Sequence, residues 1–236
     1  MTRGKPGLSA SVTCMNPLTY RETIQSLDAA GLTAYHIDVC DGQFAKTFLL
    51  YPALLPSFRE VTSTRLDVHL YCFEPSLYID ECVKCGADSI IVQLEAHESY
   101  VQIIPRIARL GVRAGLGILP GTPIPQSVRE VLPALSMVVA NTVGPAYAGQ
   151  QYNPAGVETI TRMRAICDEA GATPEIVVDG AVNEKRLESV FSAGADHLVL
   201  GTSSVFKKGA DWGKELRAFR AIAEASFKKF GRHFPD

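Results

Sequence analysis

The chain has 236 residues, of which 47% are hydrophobic and 20% are charged, and its formal net charge is −2. This composition is typical of a globular protein with a sizeable core, and the length suits a single (β/α)8 barrel, which we expect to form one domain over residues 1–236. No basic cluster is interleaved with aromatic residues and no apolar run reaches about 18 residues, so neither nucleic acid nor a membrane is expected as a partner.

The first predicted elements follow a polar start. Residues 1–7 include basic side chains, but no apolar signal-peptide core follows them, so we expect a cytoplasmic protein. Residues 8–12 predict a short strand. Asn16 followed by Pro17 predicts the N-cap and first turn of a helix that ends at Gly31.

The same alternation of short apolar runs and helical patterns continues along the chain. It predicts a parallel sheet, and eight repeats over this length predict a closed (β/α)8 TIM barrel. A last amphipathic helix is predicted over 212–230, with a loose tail at 231–236. The strands are predicted at 8–12, within 34–42, and at 66–70, 89–94, 113–119, 136–141, 176–179 and 197–201.

The six cysteines are scattered along the chain and fit reduced thiols in a reducing compartment. Cys82 and Cys85 form a C-x-x-C pair, but they lie in a helical pattern and no second pair completes a zinc site. We therefore interpret them as helix thiols, with a redox or metal site as the alternative.

Ionisable side chains in apolar runs give the first indication of a functional site. His36 and Asp38 are two residues apart, so alternation along a strand places both on the same face. His69 lies in a second apolar run, and Asp179 ends a third. Such groups are costly to bury unless they are paired or bind a metal. Since the carboxyl ends of the strands meet at one mouth of a barrel, these residues predict a metal site with mixed nitrogen and oxygen ligands at the active centre.

Other ionisable residues are assigned different roles. Asp67 shares the face of His69, where it would either orient a ligand imidazole or form an ion pair. His97 lies in a polar loop and is expected at the surface, and His197 and His233 are given no role in the site.

Three loops at the same end of the barrel predict a bound phosphate ester. Gly180 and Ala181 follow the seventh predicted strand, and Gly201 and Thr202 follow the eighth. In such barrels the backbone N–H groups of these two loops, with a helix N-terminus nearby, bind phosphate. Residues 144–151 follow the sixth strand and place one aromatic residue among small ones, which is typical of a flap that closes over a ligand.

A set of motifs repeats the pattern of a known enzyme family in the family's order. The motifs are Ser11, His36 and Asp38 with Asp41 and Gly42, the run 67–70 with His69, Thr142, Val143 and Pro145 with Gly149 and Gln150, Val178 to Gly180, and Gly201 with Thr202. On these motifs the chain resembles the ribulose-phosphate 3-epimerase family from about residue 8 to residue 206.

The resemblance implies an enzyme that inverts the carbon next to the carbonyl group of a ketose phosphate. It implies one divalent ion, Zn²⁺, Fe²⁺, Mn²⁺ or Co²⁺, bound by His36, Asp38, His69 and Asp179. It also implies that Asp38 and Asp179 are the catalytic acid and base, one taking the C3 proton and the other returning a proton on the opposite face. The residues that it places against the substrate are Ser11, His69, Ala148, Gly149, Gln150, Gly180, Ala181, Gly201 and Thr202.

Several positions differ from the family pattern without removing a metal ligand or an acid/base residue. The resemblance therefore still implies the reaction, in a pocket with a different lining. The differences are Cys40 and Tyr71 at usual methionines, Gln43 and Gln93 at usual histidines, Tyr147 in the flap and Ala181 after the seventh strand.

Two substrates remain open. Cys14 with the following Met15 and Asn16, and the run 201–203, are more similar to the branch of the family that epimerises a hexulose 6-phosphate. D-ribulose 5-phosphate and D-allulose 6-phosphate are therefore the two candidate sugars. A homo-oligomer is expected, because an exposed barrel face often pairs with a copy of itself.

Two hypotheses from other functional classes compete with the epimerase. A barrel that binds a sugar phosphate without catalysis would not need two opposed carboxylates, and Asp38 and Asp179 are both present. A metal-free barrel decarboxylase or isomerase generally uses a lysine at a strand end, and no lysine lies in a predicted strand.

Overall fold

Eight parallel strands close into a barrel in the computed structural model, which describes residues 5–145 and 149–231. Each strand pairs with the next along the chain, and the last pairs with the first. The predicted (β/α)8 barrel is confirmed, while one domain over residues 1–236 stays a prediction. The strands are β1 Gly7–Ser11, β2 Ala34–Cys40, β3 Arg65–Tyr71, β4 Ser89–Gln93, β5 Arg113–Ile118, β6 Leu135–Asn141, β7 Glu175–Asp179 and β8 His197–Leu200.

Helices cover the outside of the barrel. Outward-facing strand residues such as Ile37, Val68 and Ile90 belong to the large buried cluster that joins the sheet to these helices. The helix predicted over 212–230 is confirmed. The helices are α1 Tyr20–Ala29, α2 Leu55–Arg59, α3 Ser76–Lys84, α4 Tyr100–Arg109, α5 Val128–Val131, α6 Ala155–Glu169, α7 Leu187–Ser192 and α8 Trp212–Phe230.

The first β/α unit differs from the sequence prediction in two details. β1 ends at Ser11 rather than at residue 12, because Val12 begins a 3-10 turn that runs to Cys14. Asn16 caps a second 3-10 turn instead of the helix itself, and α1 begins only at Tyr20. Two short 3-10 turns at the mouth of the barrel therefore precede α1.

Side chains that point into the barrel form three layers of different chemistry. Charged side chains occupy the amino-terminal ends of the strands, and the polar residues of the candidate site occupy the carboxyl-terminal ends. A thin apolar layer separates them. It consists of the five buried residues Ile91, Met137, Val139, Val177 and Val199.

An ionic cluster closes the amino-terminal end of the barrel around Glu175. Its Oε2 lies 3.3 Å from Arg65 Nη1 and 3.0 Å from Arg113 Nη2, and its Oε1 lies 2.9 Å from His197 Nδ1. Burial acts to raise the pKa of Glu175, but the charges of His197 and the two arginines outweigh it and hold this pKa well below its usual range. His197, given no role in the site by the sequence, is part of this cluster.

Asp67 belongs to the same end of the barrel. Its Oδ2 lies 2.9 Å from Arg65 Nη2, and its Oδ1 accepts a hydrogen bond of 2.6 Å from the Ser89 hydroxyl. Of the two roles considered for Asp67, the structure therefore supports the ion pair.

All six cysteines are free, with Cys82 buried in α3 and Cys85 half-buried, as expected for helix thiols. His97 is exposed, as predicted, and its ring stacks on Phe73. Among the described residues, no helix combines the length and the apolar character that a membrane span needs. Residues 232–236, which include His233 and most of the predicted tail, lie outside the described ranges.

Replacing Glu175 by glutamine should lower the free energy of unfolding at pH 7 by about 2–3 kcal/mol, because Arg65 and Arg113 lose their shared anion. The pKa of Glu175 is lower in the folded chain than in the unfolded chain. Its contribution is therefore present above the unfolded pKa of about 4.3 and is lost as the pH falls below it. Denaturant titrations of the two proteins should show a difference that shrinks between about pH 7 and pH 3.

Glu158→Gln on α6 is the matched control, since Glu158 is exposed and lies 3.7 Å from Arg162. This variant should unfold like the wild type at both pH values. Equal losses in the two variants, or a difference that does not change with pH, would contradict the stabilising role assigned to Glu175.

Candidate active site and metal centre

A cleft of about 550 Å³, counting the part open to solvent, lies at the carboxyl-terminal mouth of the barrel. Asp38 and Asp179 line it, whereas His36 and His69 are buried and do not. Residues 146–148, with the predicted Ala148 and Tyr147, lie outside the described ranges. The other residues that the sequence placed against the substrate all line the cleft: Ser11, Gly149, Gln150, Gly180, Ala181, Gly201 and Thr202.

Four side chains from three strands bring their ligand atoms together at this cleft. His36 and Asp38 project from β2, His69 lies beside Asp38 on β3, and Asp179 is the last residue of β7. One ligand atom of each lies within 4.8 Å of the others. His36 Nε2 lies 3.0 Å from His69 Nδ1, 3.2 Å from Asp38 Oδ1 and 3.7 Å from Asp179 Oδ2. The structure thus brings together all four residues of the predicted metal site.

The donor atoms of this cluster fit a divalent metal ion. Ligands about 2.0–2.1 Å from a shared tetrahedral centre stand about 3.3 Å apart, close to the spacing of His36 Nε2 from its neighbours. Asp38 Oδ1 is buried and, within the part of the chain that the structure describes, has no hydrogen-bond partner, because the nearby His36 Nε2 lacks hydrogen-bond geometry. A cation would satisfy this oxygen, and mixed imidazole and carboxylate donors suit Zn²⁺, Fe²⁺, Mn²⁺ or Co²⁺.

The second ring nitrogen of His69 contacts Gln93. His69 Nε2 lies 2.9 Å from the side-chain amide nitrogen of Gln93. The same nitrogen donates to Asn141 Oδ1 at 3.1 Å, which leaves the Asn141 amide nitrogen facing Tyr71 and Asp179. A Cβ on Gly117 would lie 2.7 Å from His69 Nε2, so glycine is needed there.

The electrostatics of the cluster favour a positive charge between the two carboxylates. Burial acts to lower the pKa of His36, but Asp38 and Asp179 outweigh it and raise this pKa to about 9. Burial and the charge on His36 hold the pKa of His69 well below its usual range. Burial, opposed by His36 and reinforced by Asp38, raises the pKa of Asp179 to about 6. The site therefore attracts a cation, and in the protein alone the proton on His36 supplies that charge.

Sequence reasoning missed three polar side chains of the site. The sequence singles out Tyr71 only as a difference from the family pattern, and it assigns no role to Asn141 or Thr13. The Asn141 amide nitrogen donates to Tyr71 Oη at 2.7 Å and to Asp179 Oδ2 at 3.1 Å. Thr13 Oγ1 lies 2.8 Å from Ser11 Oγ. The available signal was that Asn141 ends the apolar run of β6 as Asp179 ends that of β7, and the two are partners in the sheet.

The loops after β7 and β8 form the other end of the cleft. Gly180 has φ +111° and Ala181 has φ +49°, and the Ala181 carbonyl accepts a hydrogen bond from the Arg186 guanidinium. The positive φ at Gly180 favours glycine, whereas at Ala181 this side-chain contact helps to hold an uncommon conformation. After β8 the Gly201 carbonyl accepts from backbone N–H groups of the next turn, and α8 begins only at Trp212. Loop backbone, rather than an α-helix N-terminus, therefore follows β8.

Gln150 contacts the start of the loop after β6. Its side-chain nitrogen donates to the carbonyl oxygens of Gly144 and Pro145, at 2.9 Å each. Gln150 thus lines the cleft as predicted, while this nitrogen holds the two sides of the loop together.

Comparison with known proteins places these features in context. A model of the ribulose-phosphate 3 epimerase family matches residues 7–206. The "Ribulose-phosphate 3-epimerase" of Synechocystis sp. is 35% identical over 187 residues, which cover 78% of this chain and 80% of that protein. The "Ribulose-5-phosphate-3-epimerase, chloroplastic" of Arabidopsis thaliana is 33% identical over 218 residues, which cover 91% of this chain and 76% of that protein.

Solved structures share the fold at much lower sequence identity. The structure described as KGPDC from Streptococcus mutans superposes with a TM-score of 0.69 at 11% identity, covering 94% of this chain and 99% of that chain. At this identity the likeness supports the barrel alone.

The purified protein should hold about one divalent ion per chain, because four ligand atoms converge on one centre. After chelation, adding Zn²⁺, Mn²⁺ or Co²⁺ should raise the melting temperature by roughly 5–10 °C at a hundredfold excess over the dissociation constant. His69→Ala should weaken metal binding at least about tenfold, because one ligand is lost. Elemental analysis and thermal unfolding measure both effects.

His97→Ala is the control, because His97 is exposed and is not among the four clustered residues. It should keep the metal content and the metal-dependent stabilisation. A wild-type protein that metal does not stabilise, or an unchanged shift in His69→Ala, would contradict the proposed centre.

Proposed function

Because the chain belongs to the ribulose-phosphate 3 epimerase family, we propose that it inverts C3 of a ketose phosphate, the carbon next to the carbonyl group. D-ribulose 5-phosphate, giving D-xylulose 5-phosphate, is the first candidate substrate. D-allulose 6-phosphate is the second.

The observation that carries this proposal is the placement of two carboxylates in one cleft. Asp38 comes from β2 and Asp179 from β7, and β1 and β8 lie between those strands on the closed barrel. Inversion through a planar intermediate needs proton transfer on both faces of C3, since a single base would return the proton to the face it came from. Two aspartates that reach one cleft from different strands meet that requirement.

In this mechanism each aspartate serves one epimer. One carboxylate takes the C3 proton of its epimer, and the other, already protonated, delivers a proton to the opposite face. A divalent ion held by His36, Asp38, His69 and Asp179 would supply the positive charge that stabilises the negative charge developing on the substrate oxygens. Ser11 donates to Asp38 at the cleft wall, and its oxygen would accept a hydrogen bond from a substrate hydroxyl.

The phosphate would lie against the loops after β7 and β8. No lysine or arginine is among the described residues that line the cleft. The phosphate oxygens would therefore contact backbone N–H groups near Gly180 and Gly201 and the hydroxyls of Thr202 and Ser203. Gly149 and Gln150, in the loop after β6, would form another wall of the phosphate site.

One observation supports the hexulose phosphate as the second candidate. Cys14, Thr202 and Ser203, in the two runs that resemble the hexulose-specific branch, all line the cleft. These residues would be in reach of the substrate, so the resemblance there bears on which sugar is bound.

The non-catalytic barrel is less well supported. A protein that only binds a sugar phosphate gains nothing from two carboxylates in one cleft, because their repulsion weakens binding of an anion. The homo-oligomer and the cytoplasmic location stay predictions.

Asp38→Asn and Asp179→Asn should each lower kcat by about 10³-fold or more, because amides cannot exchange the proton. Each variant should still exchange the C3 proton of one epimer with solvent, the epimer served by the remaining aspartate. Coupled assays and ¹H NMR in D₂O measure the two effects. Turnover near the wild-type rate in either variant would contradict the two-base mechanism.

The function itself is tested by offering the metal-replete protein D-ribulose 5-phosphate and D-allulose 6-phosphate separately in D₂O. Deuterium at C3 of one sugar, together with formation of its epimer, would establish the reaction and select the substrate. Absence of exchange with both sugars would overturn the proposal for these two substrates.

A further inference from the structure

Two side chains outside the metal cluster hold the Asp179 carboxylate. Its Oδ2 accepts hydrogen bonds from the Tyr71 hydroxyl at 3.2 Å and from the Asn141 amide nitrogen at 3.1 Å. The same amide nitrogen also donates to Tyr71 Oη at 2.7 Å, so the three groups form a closed triangle. Because an ionised carboxylate only accepts hydrogen bonds, the two neighbours must act as donors toward it.

Both donors are themselves fixed in place. Tyr71 is 2% exposed and Asn141 is fully buried. The Tyr71 ring stacks on the His69 imidazole, with ring centroids 4.1 Å apart and an interplanar angle of 28°. Asn141 is the β6 partner of Asp179 in the sheet. Tyr71 therefore connects a predicted metal ligand on β3 with the carboxylate on β7.

The backbone at Asp179 is held by Thr142. Asp179 is the last residue of β7, and its carbonyl oxygen accepts a hydrogen bond of 2.8 Å from the Thr142 N–H, while the Thr142 hydroxyl donates to Gly180 O. These bonds do not set the rotation of the Asp179 side chain, so side-chain contacts must fix the direction of the carboxylate.

Asp38 is held differently. Its Oδ2 accepts from the Ser11 and Thr13 hydroxyls at 3.4 and 3.5 Å, both at the long limit of a hydrogen bond. Asp38 lies within β2, with strand residues on both sides. The two carboxylates are therefore restrained unequally, and the shorter side-chain hydrogen bonds go to Asp179.

We propose that Tyr71 and Asn141 are positioning residues that fix the Asp179 carboxylate for proton transfer at C3, while leaving Asp38 unaffected. The proposal rests on the proposed function, in which Asp179 moves a proton at C3. It predicts that loss of either donor slows one of the two proton transfers selectively.

Tyr71→Phe is the direct test, because it removes the hydroxyl and keeps the ring that stacks on His69. With the metal-replete variant, kcat should fall roughly ten- to a hundredfold while KM changes less than about twofold. Metal content should stay at the wild-type value.

Substrates deuterated at C3 distinguish positioning of Asp179 from general damage. For the epimer whose proton Asp179 takes, the slowed step breaks the C–D bond, so the primary isotope effect on kcat/KM should rise above the wild-type value. For the other epimer, Asp38 breaks the bond and the slowed step comes later. There the isotope effect should fall, and solvent hydrogen should enter the unreacted sugar before conversion. The exchange retained by Asp179→Asn identifies the epimer that Asp38 serves.

Asn141→Leu is the second variant, of similar volume without the amide, and it should show the same opposite changes in the two isotope effects. Tyr100→Phe is the matched control. It removes a buried tyrosine hydroxyl that lies 2.6 Å from Ser127 Oγ on the outside of the barrel, and it should leave both isotope effects unchanged.

The outcomes separate this inference from the proposed function. Three results would overturn the positioning role when the wild type epimerises a sugar. Both variants could keep the wild-type kcat, both could lose the metal, or both could shift the two isotope effects in the same direction. If the wild type exchanges no C3 proton, the proposed function fails before the variants are compared.

Discussion

Two carboxylates with oxygens within 4.8 Å of each other repel, and the carboxyl-terminal end of this barrel is arranged around that repulsion. His36 Nε2 lies 3.2 Å from one carboxylate, that of Asp38, and 3.7 Å from the other, that of Asp179. The raised pKa of His36 reflects the same negative potential that would hold a metal ion. The pair is stabilised by the His36 imidazole and by hydrogen-bond donors from Ser11, Thr13, Tyr71 and Asn141. The geometry of this end of the barrel follows from the need to provide them.

The two ends of the barrel divide stability and chemistry between them. At the amino-terminal end, Arg65 and Arg113 form ion pairs with Glu175, which supports a structural role. At the carboxyl-terminal end, Asp38 keeps a buried oxygen without a hydrogen-bond partner among the described residues, and an open cleft lies above it. His197 Nε2, in the ionic cluster, is also buried without a hydrogen-bond partner among the described residues, so the open cleft is the feature that distinguishes the two ends.

The barrel and its cluster of two histidines and two aspartates could be predicted from the sequence because both depend on local rules. Alternation along one strand puts His36 and Asp38 on one face, and the parallel topology brings Asp179 to the same mouth. Tyr71 and Asn141 could not be predicted in this way. A polar residue at the end of an apolar run is common, and the contact between them depends on closure of the sheet and on side-chain direction across the mouth. Long-range contacts of this kind are visible only in three dimensions.

The thin apolar layer between the two ends acts as a slab of low dielectric constant. Excess charge on one side of such a slab cannot be balanced cheaply by charge on the other, so each side approaches electroneutrality by itself. On the lower side, Arg65, Arg113 and the His197 ring lie against Asp67 and Glu175. On the upper side, the negative charge that Asp38 and Asp179 carry has to be balanced within the same layer. With both carboxylates ionised, a dication would balance the pair with a single ion, whereas a monovalent cation would leave one negative charge.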